Sequence, residues 1–388
     1  MARRLNFRLL ILILLLGGVA ARQIALEHQP SFLKPGSHLY AYSASATDGT
    51  VSVMNLASLA TIATIAVGPA PSGLRAHPTR AEIWGVSSGS STSTGSASSS
   101  SSGGSGAVWV LDAQANRVSA RIPVGASPFA LDFSPDGKRA YVAASGSNQI
   151  VAIDCATHAI VARARTGARP WTARVTPDGR EVLVPNRDDG TLEIFDAATL
   201  APVATVAVAK DPEQVVVMQD SSVAFVAAPA SHAISVVDLR HPSLEANLDL
   251  DGTPSSLTLK PDGGELYVTV PDAHGLDIIY TWTMDVGDSM MLGSAPTQSV
   301  VSDDGETLFV TDAAAGRVAD IAIGTRETAA LVAAGRAPGA CILDPSGDLL
   351  LVANEESSDV AVISVRTASL LTLLPVGARP VSLAVKMF

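Results

Sequence analysis

Apolar and polar residues alternate along most of this chain in runs of five to eight positions, each run ending at a turn that carries Gly, Pro or Asp. Three such runs, KRAYVAAS, QIVAIDCA and AIVARAR, follow one another within residues 138–165. A period of two over that length predicts short β-strands, and the 3.6-residue period of a helix is absent. The runs themselves recur. Prolines stand at Pro128, Pro170, Pro212, Pro254, Pro296, Pro338 and Pro380, 42 residues apart every time. A second comb in phase with them carries tight-turn phrases: SPDG at Asp136, TPDG at Asp178, KPDG at Asp262 and SDDG at Asp304. In Pro-Asp-Gly the proline presets one turn residue and the glycine tolerates positive φ, which suits a hairpin.

Each repeat therefore holds four strands, named a to d; in the third they are ALDFS, RAYVAAS, IVAIDC and AIVARAR. Four antiparallel strands per 42 residues predict an all-β propeller, in which each blade buries its faces against its neighbours. Strands of type b begin near Leu39, Glu82, Arg139, Glu181, Val223, Glu265, Thr307 and Leu349, and strands of type a near Leu74, Leu131, Ala173, Val215, Leu257, Ser299, Cys341 and Ser382. Both counts give eight blades. The chain opens on a b strand and closes on an a strand, so residues 382–386 are expected to pair with 39–45 and seal the ring. Residues 39–388 read as one propeller domain.

One blade is interrupted. Ser87 to Gly106 is built only of Ser, Thr, Gly and Ala, a composition that cannot offset the entropy of its own ordering. Pro71 to Pro128 spans 57 residues instead of 42, which places the tract between strand b (Glu82–Val86) and strand c (Ala107–Asp112) of blade two. It reads as a loop insertion within a blade, either neutral or a tether, an O-glycosylated tuft or a partner-reaching arm.

The phrases YVTV at Tyr267, FVTD at Phe309, LVAN at Leu351, LVPN at Leu183 and YVAA at Tyr141, each after a turn of the Pro-Asp-Gly kind, resemble the YVTN-repeat β-propeller family over residues 39–388. The resemblance implies an extracytoplasmic protein with a scaffold or binding role more often than a catalytic one. It also implies that the d-to-a and b-to-c loops share the face where ligands and partners meet. Many relatives close with seven blades, and the eight repeats here depart from that.

The first residues fit export. Arg3, Arg4 and Arg8 precede an apolar run from Leu9 to Ala21, and Gly18 with Ala20 forms a small-x-small cleavage signal. The run is shorter than the roughly 20 residues of a membrane span. Two outcomes stay open: a signal peptide removed from residues 1–21, or a retained anchor ahead of a spacer, 22–38. Either way the destination is the periplasm or cell surface. The net charge of −11 makes nucleic acid a poor partner. Cys155 and Cys341, the two cysteines, fall in repeats far apart around the ring, so buried free thiols are expected in place of a disulfide.

Candidate chemistry is sparse. The d-to-a loops supply Arg169, Lys210, Arg336 and Arg379, a potential ring of anion-binding cations at the channel mouth, with Asp188, Asp189, Glu355 and Glu356 as the neighbours that would pair with them. His232 and His274 occupy equivalent loop positions of adjacent blades with Asp272 near the second, a weak metal constellation lacking a third ligand set by spacing. No CxxCH is present and no strand-to-helix nucleophile elbow is predicted, so neither a catalytic residue nor a cofactor is indicated. Blade six departs most from its siblings: LDIIYTWTMDVGDSMML holds Trp282, Met284, Met290 and Met291, which together with Trp171 are the candidate contacts for a protein partner. The expectation is a non-enzymatic, exported scaffold docking onto a partner protein, with an accessory subunit of a membrane-bound complex as one form of that role. The alternative is a ligand-binding or lactonase-like hydrolytic propeller working through its central channel and the Arg- and His-bearing loops.

Overall fold

The computed structural model describes residues 39–89 and 105–388. The export segment 1–21, the spacer 22–38 and most of the Ser/Gly tract lie outside them. Among the described residues no helix is long and apolar enough to cross a membrane.

Eight four-stranded antiparallel sheets stand in a ring, each ordered a-b-c-d from the channel outwards. Blade one is made from both ends of the described chain: Pro380–Met387 supplies its strand a and pairs with Leu39–Ser45, from Leu39↔Met387 to Ser45↔Pro380. The expected closure is present.

Burial explains the repeat. Strands b and c are sandwiched between blades, so nearly every residue is buried, as in Arg139–Ala144 and Gln149–Asp154 of blade three. Strand d has one face on a neighbour and one on solvent, and Ile160–Arg165 alternates half-buried with exposed along its length. The cores lie between blades. Tyr141, Ala143, Ile150 and Ala152 of blade three meet Val182, Val184 and Phe195 of blade four, and each fully buried Val, Ile or Phe contributes about 1.5–3 kcal/mol. The Tyr141 hydroxyl donates to the Ala197 carbonyl across this junction at 2.6 Å.

The turns follow their sequence. In SPDG the Asp136 carboxylate accepts from the Ser134 hydroxyl at 2.7 Å and the Lys138 amide at 3.0 Å, while Gly137 sits at φ 69°. A side chain there would also approach the buried His77 ring to 2.9 Å. Such bonds draw the Asp136 carboxyl down to about 2, the Lys138 amide contributing most.

Some boundaries differ from expectation. In blade two strand b ends at Ser87 and strand c begins at Ser105, so pairing runs into the tract at both ends; ladder bonds need no apolar side chain. Cys155 lies one residue beyond strand c (Gln149–Asp154) and is buried, whereas Cys341 lies on strand a of blade eight and is only half-buried. Both thiols are free, and burial pushes each up to about 12.

Candidate functional site in the central channel

The repeat proline ends each d-to-a loop, so the residue after it stands at the channel mouth. Around the ring that residue is Ser72, Phe129, Trp171, Glu213, Ser255, Thr297, Gly339 and Val381. Two adjacent blades thus carry aromatics, blade five an acid, and the others short side chains. Phe129 and Trp171 stack with centroids 4.2 Å apart, and the Arg187 guanidinium lies over the other ring at 4.5 Å, a cation–π contact. Arg187 is held in turn by Asp211 at 2.6 Å and Glu213 at 2.8 Å. Its hydrogen bonds lower the Asp211 carboxyl and raise its own pKa. Glu213, more enclosed, is raised by burial despite the same cation. This row braces the aromatic wall across blades three to five, yet Phe129 stays 42 % exposed on the cavity it lines.

Three residues further along strand a, roughly 10 Å deeper at strand spacing, lies a second unequal ring. Arg75, Asp132 and Arg174 pair with Trp84, Tyr141 and Leu183, the third residue of strand b in blades two, three and four. The equivalent positions elsewhere are Val216, Thr258, Val300, Ile342 and Ala384. Asp132 lies 3.6 Å from Arg174 and accepts the Val175 amide at 3.1 Å. The Arg174 Nε is buried with no hydrogen-bond partner among the described residues. Arg75 is accessible within the channel but ringed by the inner strands; this enclosure lowers its pKa most, Asp132 opposing and Arg174 reinforcing the shift. Two connected cavities of about 620 and about 1000 Å³ share Arg75, Ala130, Gln214 and Gln298 in their walls.

The cations expected from the sequence do not converge. Arg169 pairs with Asp188 at 3.1 Å and Arg379 with Glu355 at 3.3 Å, Arg336 donates to the Glu356 carbonyl at 3.2 Å, and Lys210 is exposed on its loop. Of the four, Arg379 alone lines the cavity at the mouth. His274 is bonded to the Ser294 carbonyl at 2.8 Å, while His232 and Asp272 both reach Thr253. Among the described residues no group of three His, Cys, Asp or Glu side chains is placed to hold a metal ion.

Blade six divides its candidates between two ends of one strand. Trp282, in the c-to-d turn, is 66 % exposed and stacks on Tyr280 at 4.8 Å. Gly287 makes room for the Tyr280 ring, which a side chain there would approach to 2.1 Å. Met291 ends strand d (Asp285–Met291) at 77 % exposure, about 20 Å away at strand spacing. Met284 and Met290 pack against the cores on either side. Strand d of blade eight also exposes Leu370, Leu371 and Leu373, which the sequence reading passed over because leucine is ordinary in a strand. Arg75, Asp132, Arg174, Phe129 and Arg187 were passed over too. Their signal is columnar: aligning the repeats at the proline puts charge in a column that is otherwise small or apolar.

Comparison with known proteins comes to the same fold. The family model of the cytochrome D1 heme domain matches residues 99–246, less than half of the chain, and that family is an eight-bladed propeller. The expected resemblance holds at the level of a propeller family, though the family matched is not the YVTN repeat. No curated protein matches in sequence. Among solved structures, dihydro-heme d1 dehydrogenase NirN in complex with DHE is similar over 92 % of this chain and 76 % of its own, with TM-score 0.72 and 16 % identity. Kuenenia stuttgartiensis hydrazine synthase is similar over 65 % and 88 %, with TM-score 0.54 and 18 % identity. A functionally unknown protein from Desulfotomaculum acetoxidans DSM 771 is similar over 72 % and 95 %, with TM-score 0.58 and 14 % identity. Identities this low carry the fold and leave function to the site.

Proposed function

We propose that this protein is an exported ligand-binding propeller whose site is the mouth of the central channel, where a planar, ring-bearing molecule lies against the Phe129–Trp171 wall. The observation that carries the reading is the one-sided rim. Phe129, stacked on the Trp171 ring that Arg187 braces, shares with Ser255, Thr297 and Gly339 the lining of a cavity of about 1000 Å³, and apolar walls with a few fixed polar groups are the usual make-up of a small-molecule site.

The likeness to heme d1 proteins raises heme as an occupant. The donor set does not fit an iron: among the described residues the channel cavities are lined by no His, Met or Tyr. Cys341 is the one sulfur there, and burial keeps its thiol protonated. What fits is a ring held by stacking, with no ligand from the protein to a metal. The test is titration with metal-free protoporphyrin IX and with its ferric complex, followed by tryptophan fluorescence and visible absorbance. Affinities within about threefold of each other are expected, falling at least tenfold in Phe129→Ala/Trp171→Ala, about 1.4 kcal/mol. Absence of binding by either, or binding of the ferric form alone with the spectrum of an axially ligated iron, would overturn the reading.

A second reading, docking onto a protein partner as an accessory subunit of a membrane-bound complex, rests on the exposure of Trp282 and Met291. Side chains of this kind concentrate binding energy when a partner covers them. Replacing both with Ser is expected to abolish copurification of that partner with little change in melting temperature, and retained copurification would remove these residues from the interface.

A further inference from the structure

We propose that the channel recognises a carboxylate, gripped at its middle by Arg75 and Arg174. The inference builds on the reading that a ligand enters the channel, but it stands on the arginines and not on the aromatic rim.

The charge count comes first. Two guanidiniums and one carboxylate, Arg75, Asp132 and Arg174, occupy equivalent positions on three consecutive blades, while the same position in the other five is uncharged. One positive charge is left over, inside a protein whose net charge is −11. Arg80, Arg169 and Arg379 lie beside acids within 4 Å. Arg75 has only the more distant influence of Asp132, and Arg174 repels it.

Hydrogen bonding points the same way. Asp132 divides its attention between the Val175 amide and the edge of Arg174, at 3.1 and 3.6 Å. Arg174 therefore keeps a buried Nε without an acceptor, an arrangement that costs about 1–3 kcal/mol and is uncommon without a compensating role. The Arg75 guanidinium donates no hydrogen bond to any described residue. A guanidinium has five N–H donors in a planar fork, and a carboxylate matches two of them at once.

The excess of one charge also sets the kind of anion. A monoanionic carboxylate brings the cluster to neutrality, whereas a phosphate dianion would leave a net negative charge beside Asp132, which is unfavourable. Gln298 and Thr172 stand in the same cavity wall and offer further polar contacts. A molecule reaching from the rim to this cluster would carry its ring outward and its carboxylate inward.

The experiment is calorimetric titration of the full chain with acetate, benzoate and inorganic phosphate at fixed ionic strength, on the parent protein and on Arg75→Gln, Arg75→Lys and Arg174→Gln, with melting temperatures as the check on folding. Benzoate and acetate are expected to bind and phosphate not to displace them. Arg75→Gln and Arg174→Gln should each weaken binding at least tenfold, and Arg75→Lys, which keeps the charge but not the fork, should weaken it less than Arg75→Gln. Equal benzoate affinity in parent and Arg75→Gln, no carboxylate binding at all, or displacement by phosphate at equal concentration would overturn the proposal. The outcomes separate the two readings. If acetate binds as well as benzoate and both need Arg75, the arginine grip stands and the aromatic wall is idle. If benzoate binds independently of Arg75, the wall stands and the grip falls.

Discussion

Blades two to five and blades six to eight are built on one repeat and differ almost wholly in what they turn towards the channel. The first group presents Arg75, Asp132, Arg174, Phe129, Trp171 and Glu213 beside Ser72 and Val216; the second presents only Thr258, Val300, Ile342, Ser255, Thr297 and Gly339 at the same positions. Backbone pairing is alike in both groups, and so is the burial of strands b and c. In a repeat protein the scaffold is specified by what recurs. A site is specified by what breaks recurrence, because a charged or aromatic side chain at an inward position adds nothing to blade packing that a threonine or valine does not already supply.

The comparison can be broken most forcefully at the joint between the two groups. Blade one links blade eight to blade two through Pro380–Met387, and the Ser382 hydroxyl accepts the Leu74 amide at 3.0 Å. Deleting residues 381–388 removes the buried Leu383, Ala384 and Val385 and uncovers two blade edges. A loss of more than about 5 kcal/mol is expected from apolar burial alone. Calorimetry should show the single transition lowered by tens of degrees or split as the two sides uncouple. A truncated chain melting like the parent would mean that closure contributes little.

Smaller in effect, and sharper, is a pair of single substitutions at the rim. Arg187→Ala leaves Asp211 and Glu213 without their cation and frees the Trp171 ring, so about 2 kcal/mol of destabilisation is expected. Ser255→Ala, on the rim of blade six, touches no hydrogen bond of its own hydroxyl and should stay within about 0.5 kcal/mol. Urea titration of the two variants checks the ratio. Similar values would show that the aromatic wall is ordinary packing.

A third difference is one of pH. His77, in blade two, accepts the Thr79 and Arg80 amides on Nδ1 at 3.2 and 3.0 Å and so presents Nε2–H to the Gly137 carbonyl at 2.8 Å. Burial is the largest influence and lowers its pKa below 6.5; the Gly137 carbonyl and Glu82 act upwards, Arg80 and Lys386 downwards. With the folded value below the unfolded one, the unfolded chain takes up the proton first. Stability is therefore flat above about pH 6.5 with respect to this group and falls as pH drops from there towards the depressed folded value. His77→Gln should flatten that part of the profile measured by urea midpoint. A profile of unchanged slope would release His77 from this role.

The smallest effect belongs to the insertion in blade two. Exchanging residues 90–104 for a short Gly-containing turn is expected to change stability by less than about 1 kcal/mol, since loop closure depends only logarithmically on length. A variant that fails to fold would assign the tract a structural part.

By itself the sequence determined the ring. A register of 42 residues that does not drift, tight turns in phase with it, and strands with a period of two leave one architecture. Counting a and b strands gave eight blades and their closure, because pairing and inter-blade burial depend on local pattern. It also marked Arg169 and Arg379 as cations on the channel face and Trp282 as out of place in its blade. Tertiary structure decided what those residues do. Whether a loop arginine is free depends on acids brought beside it by the next hairpin, and Asp188 and Glu355 occupy the two most prominent ones. Whether an aromatic and two methionines form a patch depends on the length of the strand between them, which separates Trp282 from Met291. Arg75 and Arg174 acquire meaning only when residues 99 positions apart in the chain share one enclosed channel with a single carboxylate between them. Shared space makes that charge imbalance matter, and such proximity is not a property of a sequence read one repeat at a time.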